Sequence, residues 1–142
     1  MRWLGLDLGE RRIGLAISDP LELTAQPFSV WHRKGSLKQD LNYLHQVIQD
    51  YEVDAVVLGL PKNMNGTEGI MADKARNFGL ALKNISGITI EYWDERLSTA
   101  SAERLLIEAD LSRKKRKGKI DQVAATIILQ NFLDFKKGIK MT

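Results

Sequence analysis

The chain has no cysteine. Disulfide frameworks, thiolate-bound zinc, iron–sulfur clusters and thiol nucleophiles are therefore excluded together, and any metal has to sit on oxygen or on the two histidines. Long apolar runs are also missing: none approaches the ~20 residues of a membrane span, and Asp7 interrupts the N-terminus before a signal-peptide core can form. The expectation is a cytoplasmic protein without a membrane partner. There are three prolines, 7% aromatic residues, and neither internal repeats nor low-complexity linkers. The 142 residues fit a single domain, 1–142, and leave no room for two large domains closing on a cleft. With 44% hydrophobic and 27% charged residues, the composition excludes a disordered or fibrous chain.

Charge is unevenly placed. The net charge is +3, yet residues 111–142 hold nine Lys/Arg against Asp121 and Asp134, whereas residues 1–110 hold twelve basic and sixteen acidic side chains. An acidic body carrying a basic C-terminal portion suits a polyanionic partner, with nucleic acid the first candidate.

Residues 2–8 and 12–18 are short apolar runs joined by Gly9-Glu10-Arg11, and a third β-prone stretch passes through Phe28, Val30 and Trp31. An antiparallel meander follows from this. Ser36 and Gln39 make a capping-box pattern ahead of a helix over 37–51, with Leu37, Leu41, Leu44, Ile48 and Tyr51 on one face. VDAVVLGL at 53–60 does not alternate and stops at Pro61, as a strand buried on both faces would. Thr67 is placed to cap a second helix with Met71, Ala75, Phe78 and Leu82 inward, ending before Gly87. ITIEYW at 88–93 reads as the fifth strand. Ser98 or Thr99 opens a third helix through Ala109, and a fourth, after a basic loop, runs through Ala124, Ile127, Ile128 and Phe132. Three leading strands followed by alternating helices and strands imply an α/β fold, a mixed five-stranded sheet covered by helices with right-handed crossovers.

If the strands at 3–8, 53–60 and 88–93 are parallel, Asp7, the loop from Pro61 and Glu95 emerge at strand carboxyl ends, where open α/β sheets place ligands. Asp121 opens the last helix and is available to the same edge. Converging carboxylates repel one another and call for a cation, and hard oxygen ligands favour Mg²⁺ or Mn²⁺. Two such ions ~4 Å apart activate a water and stabilise the leaving oxygen of a phosphodiester. Each carboxylate also has a plainer reading: turn chemistry for Asp7, an ion pair with Arg96 for Glu95, a helix cap for Asp121. Spacing alone leaves both open.

Four segments, GLDLGERRIGLAISD at 5–19, GLPKNMNGTEG at 59–69, DERLSTASAE at 94–103 and KIDQVAATIILQNFL at 119–133, together resemble the YqgF-like family. That family is described both as pre-16S rRNA nucleases and as Holliday junction resolvases, within the ribonuclease-H-like superfamily. The resemblance spans nearly the whole chain and implies a ribonuclease-H-like fold with sheet order 3-2-1-4-5. It also implies Mg²⁺-dependent phosphodiester hydrolysis, with Asp7, Glu95 and Asp121 as catalytic and metal-binding residues.

Around these acids lie candidates for nucleic-acid contact. Lys62, Asn63 and Asn65 put a cation and two amides at the end of the central strand, suited to a phosphate or sugar, although an Asn/Gly-rich turn explains them as well. Arg113, Lys114, Lys115, Arg116, Lys117 and Lys119 place six cations in seven residues just before Asp121, where they can deliver phosphates to the carboxylates. Arg11, Arg12 and Arg96 extend that surface. His32 and His45 have no metal-like spacing, and Trp3, Trp31 and Trp93 fit core packing better than base stacking.

The leading expectation is a metal-dependent nuclease processing the 5′ end of pre-16S rRNA in ribosome biogenesis, with ribosome association a further partner call. A Holliday junction resolvase-like DNA endonuclease acting on branched DNA is one alternative, and a non-catalytic nucleic-acid-binding module another. A sugar-kinase-like ATPase also begins with Asp-x-Gly on a hairpin, but needs two domains around its nucleotide, which this length does not supply. Monomer and dimer are both compatible with the sequence.

Overall fold

The computed structural model describes residues 1–97 and 113–138, with side chains given for all of these except 113–121. Strands β1 (Trp3–Leu8), β2 (Arg12–Ser18) and β3 (Ala25–His32) form the expected meander. Helix α1 (Leu37–Asp50) leads to β4 (Ala55–Leu60), helix α2 (Ile70–Ser86) to β5 (Thr89–Asp94), and a 3₁₀ turn follows at Glu95–Leu97. Helix α3 covers Arg113–Lys136. The helix expected between Ser98 and Ala109 lies outside the described residues.

The sheet order is β3-β2-β1-β4-β5. β1 is antiparallel to β2 and parallel to β4, and β4 is parallel to β5. The three parallel strands therefore release their carboxyl ends at one edge. β3, an edge strand, tolerates Pro27, and its pairing with β2 shifts register between Leu15 and Ala16.

The non-alternating run of β4 reflects its burial on both faces. One face packs Leu4, Leu6, Leu15, Val56 and Leu58 under α1 and α2, with Leu44, Phe78 and Leu82 from the helices. The other packs Trp3, Ala16, Val57 and Trp93 under α3, with Ala125, Ile128, Leu129, Phe132 and Leu133. Trp3 and Trp93 are core residues, while Trp31 stacks on Tyr43 at 4.3 Å.

Ser36 caps α1 by accepting from the Gln39 N–H, and Gly87 ends α2 in the left-handed region. Two local expectations are corrected. Gly69, not Thr67, precedes α2, and Ala72 rather than Met71 turns inward. Thr67 is drawn away by a local competitor: its N–H and hydroxyl both donate to Asn65 Oδ1.

Asp40 is a buried carboxylate on α1. It accepts from Trp31 Nε1 at 2.8 Å and from Arg33 Nε at 2.9 Å, and Arg33 also donates to the Gly9 carbonyl at 2.8 Å. The β1–β2 hairpin is tied to α1 through this guanidinium.

The carboxylates of Asp19, Glu22, Glu68 and Asp94 sit below their ordinary titration range. Asp19 accepts backbone N–H bonds, above all from Thr24; Glu22 accepts from Trp3 Nε1 and then Lys136; Glu68 pairs with Arg76; and Asp94 pairs with Arg96. A depressed carboxylate stabilises the fold above its unfolded pKa and stops doing so as pH falls through the folded one. Thermal melts should thus be level from neutrality down to about pH 4 and decline below it. Glu22→Gln should flatten the decline.

Candidate functional site

The carboxyl edge of the parallel strands is built from β1 outward. Along β1, Trp3, Gly5 and Asp7 share the face covered by α3. The Trp3 and Phe132 rings lie 4.7 Å apart, and a Cβ on Gly5 would stand 2.8 Å from Leu129 Cβ and 3.2 Å from the Ala125 carbonyl. The helix thus passes β1 in the opposite sense. Two residues further along β1 comes Asp7, half-buried, and one turn back along α3 from Ala125 comes Asp121. The Asp121 side chain lies outside the described residues.

β4 supplies the floor. Leu6 of β1 is in register with Leu58, so the next residue, Gly59, stands level with Asp7 on the neighbouring strand, one spacing of about 4.8 Å away. Glu95 follows β5 and folds back over this glycine: a Cβ on Gly59 would lie 3.3 Å from the Glu95 carboxyl carbon and 2.8 Å from Ile128 Cδ1. The missing side chain at Gly59 is the space in which Glu95 rests. Asp7 and Glu95 consequently occupy adjacent positions at one edge and on one face.

Asp94 and Arg96 flank Glu95. Arg96 Nη2 lies 2.7 Å from Asp94 Oδ2, and this contact holds the Asp94 carboxyl below the usual range. Arg96 Nη1 also donates to the Met64 carbonyl at 3.4 Å, so the guanidinium clips the β4–α2 loop to the end of β5.

The loop amides have internal duties. Asn63 N–H and Asn63 Nδ2 both donate to Thr67, at 2.9 Å to its carbonyl and 2.9 Å to its hydroxyl, while Asn65 Oδ1 accepts from Thr67. Lys62 lies 3.9 Å from Glu68. These contacts give the loop a defined shape beside Glu95, which is the turn role weighed for Asn63 and Asn65.

Gly9 closes the β1–β2 hairpin through its N–H to the Arg12 carbonyl at 2.9 Å, and a Cβ there would meet that oxygen at 2.7 Å. Only a glycine fits so tight a turn. Arg11 is exposed at the tip and half-buried Arg12 opens β2. The basic run corrects a further expectation. Arg113, Lys114, Lys115, Arg116, Lys117 and Lys119 belong to the first turns of α3 instead of a loop, since Lys and Arg are good helix formers and the apolar helix continues back through them. Their side chains, like that of Asp121, lie outside the described ones.

Gly59 and Asp94 escaped the sequence reading. The signal for Gly59 was present: a lone glycine in an otherwise apolar buried strand marks a close approach by another group.

As a donor set the edge offers carboxylate oxygen, which suits a hard divalent cation such as Mg²⁺ or Mn²⁺. Among the described side chains, which do not include that of Asp121, no group of three from His, Cys, Asp or Glu comes together. No helix among the described residues is long and apolar enough to cross a membrane.

A meander joined to two parallel strands in the order β3-β2-β1-β4-β5, covered by helices, is a ribonuclease-H-like fold. The structure of Thermus thermophilus RuvC in complex with a Holliday junction substrate superposes with a TM-score of 0.61 at 17% identity, covering 97% of this chain and 96% of that one. The chain belongs to the RuvX family, described as Holliday junction resolvase, whose pattern matches residues 1–135. A relative from Syntrophomonas wolfei, named "Putative pre-16S rRNA nuclease", is 56% identical over 134 residues, covering 94% of each chain. A relative of the same name from Halothermothrix orenii is 52% identical over 136 residues, 96% of each chain.

Proposed function

We propose that this chain is a metal-dependent endonuclease that hydrolyses phosphodiesters at the 5′ end of pre-16S rRNA in the cytoplasm. The observation that carries the reading is the Glu95 carboxyl group folded over Gly59, one strand from Asp7. A methyl there would crowd it at 3.3 Å. Asp7, Glu95 and Asp121 would hold Mg²⁺, or Mn²⁺ in its place. When bound, the cation supplies Lewis acidity to the phosphodiester and lowers the pKa of an attacking water. The chain's own residues do the rest. Arg96 fixes the β4–α2 loop beside the site, and the basic start of α3, with Arg11 and Arg12, attracts the phosphate backbone.

The test is cleavage of labelled pre-16S rRNA 5′ ends, single-stranded RNA and a four-way DNA junction side by side, with Mg²⁺, Mn²⁺ or chelator. The reading expects cleavage of the rRNA end with metal and none with chelator. Preferential cleavage of the junction would transfer the chain to junction resolution, and inertness on all three would make it a binding module.

Gly59→Ala tests the arrangement. The added methyl must move the Ile128 tip, 2.8 Å away, and the Glu95 carboxyl group at 3.3 Å must give by a few tenths of an ångström. Cleavage should fall at least about tenfold, while stability drops by about 1–2 kcal/mol, the usual scale for one added methyl in a packed site. Chemical denaturation and a cleavage assay on one preparation check both.

A further inference from the structure

The face of β1 opposite Asp7 ends in a cavity of about 730 Å³ between the β1–β2 hairpin, the start of α1 and the first turns of α2. Its size falls within the ~300–1,000 Å³ of small-molecule sites. Its walls have two chemistries. Leu37 on α1 and Met71 on α2 are 49% and 42% exposed, and both line it over a floor that includes Phe78. Both present apolar surface to the concave site, which a ligand seated there would remove from water. At the mouth are the cations Arg11 and Lys74, with Glu10 the one acidic residue among the described residues of the lining. Arg33 forms the back wall, fixed by the Gly9 carbonyl and Asp40, and its guanidinium lies 5.8 Å from the Phe78 ring centre. Asn77 adds an amide with both a donor and an acceptor.

An occupant must therefore be flat and apolar at one end, able to hydrogen-bond at its edge, and anionic at the other. We infer that this cavity binds one nucleotide, with its base between Leu37 and Met71, its edge toward Asn77 and its phosphate on Arg11 and Lys74. Two sources share that chemistry: a nucleotide turned out of a bound strand, and a free mononucleotide. Position favours the strand. Leu8 lines the cavity and directly follows Asp7 in β1, so a strand whose phosphodiester lies at Asp7 has only the Gly9-Glu10-Arg11 turn to pass before reaching it. The preference for a strand rests on the nuclease reading, but the site itself does not.

The test is carried out in chelator, so that no cleavage enters it. Adenosine 5′-monophosphate, adenosine and inorganic phosphate are titrated separately into the isotope-labelled full chain, followed by amide shifts. The monophosphate should bind at least about tenfold more tightly than adenosine or phosphate, since both ends contribute. Shifts should concentrate at residues 8–11, 33–37 and 71–78. Lys74→Ala, an exposed change that leaves the core untouched, should weaken the monophosphate about tenfold and adenosine hardly at all. A short single-stranded RNA that competes at the same amides identifies the source as the strand. Failure of the RNA to compete identifies a free nucleotide. Phosphate binding as tightly as the monophosphate, shifts elsewhere, or indifference to Lys74→Ala would overturn the site. Because no cleavage is read, these titrations decide the nucleotide site alone, while the cleavage comparison of rRNA ends, single-stranded RNA and the DNA junction decides the nuclease reading.

Discussion

Asp7→Asn is expected to lower Mg²⁺-dependent cleavage by roughly two orders of magnitude or more, the scale of losing electrostatic stabilisation in the transition state. The change keeps size and hydrogen-bonding capacity and removes only the charge that a cation needs. Nucleic-acid binding should survive or tighten, because a carboxylate facing incoming phosphates is gone. The metal-free protein should be as stable or more so. Asp7 lies at the end of β1, past the layer where Gly5 meets Leu129, and Glu95 occupies the position beside it. Neutralising one of two neighbouring acids relieves repulsion. Marked destabilisation with proportionate loss of activity would instead make Asp7 structural.

Neutralising Arg113 to Lys117 should weaken nucleic-acid binding across sequences and flatten its dependence on salt. At ~0.7 units per phosphate contact on a single strand, loss of five contacts would reduce the slope by up to about 3.5. The helical setting adds a reason to expect a large effect. The described part of α3 starts at Arg113, and five cations crowd its first residues. Anions bound there relieve their mutual repulsion, whereas neutral side chains remove it permanently. Folding should therefore be unharmed or slightly improved. Binding measured from 50 to 300 mM salt decides the matter, and an unchanged slope would make the run a solvated helix end.

The fold was legible in the sequence wherever a pattern was long or doubly signalled. The non-alternating run at 53–60 announced β4 as buried on both faces, and Ser36 with Gln39 and Gly87 marked helix ends that the structure confirms. It failed where short-range hydrogen bonds compete. Thr67 looked like a helix cap, but Asn65 two residues earlier takes its donors. The basic run looked like a loop because its charges mask helix propensity, and only the continuation of α3 from Ala124 onward decides otherwise. Within the candidate site, Asp7 and Glu95 were visible as strand-end acids. Their adjacency was not, because it depends on register between β1 and β4 and on Gly59 leaving room, both long-range facts. The sequence offers Arg96 as a partner for Glu95. The structure pairs it with Asp94, a choice set by the local backbone at the end of β5.

The central claim is that Asp7, Glu95 and Asp121 share one divalent cation site. Its most direct test is Mn²⁺ binding followed by electron paramagnetic resonance on the full chain and on Asp7→Asn, Glu95→Gln and Asp121→Asn, each first shown to melt cooperatively. The account predicts tight Mn²⁺ binding by the parent chain, displaced by excess Mg²⁺ and weakened at least about tenfold in every variant, as when a ligand is lost from a small oxygen site. Parent-like Mn²⁺ affinity in the Asp121 variant, or in all three, would contradict it.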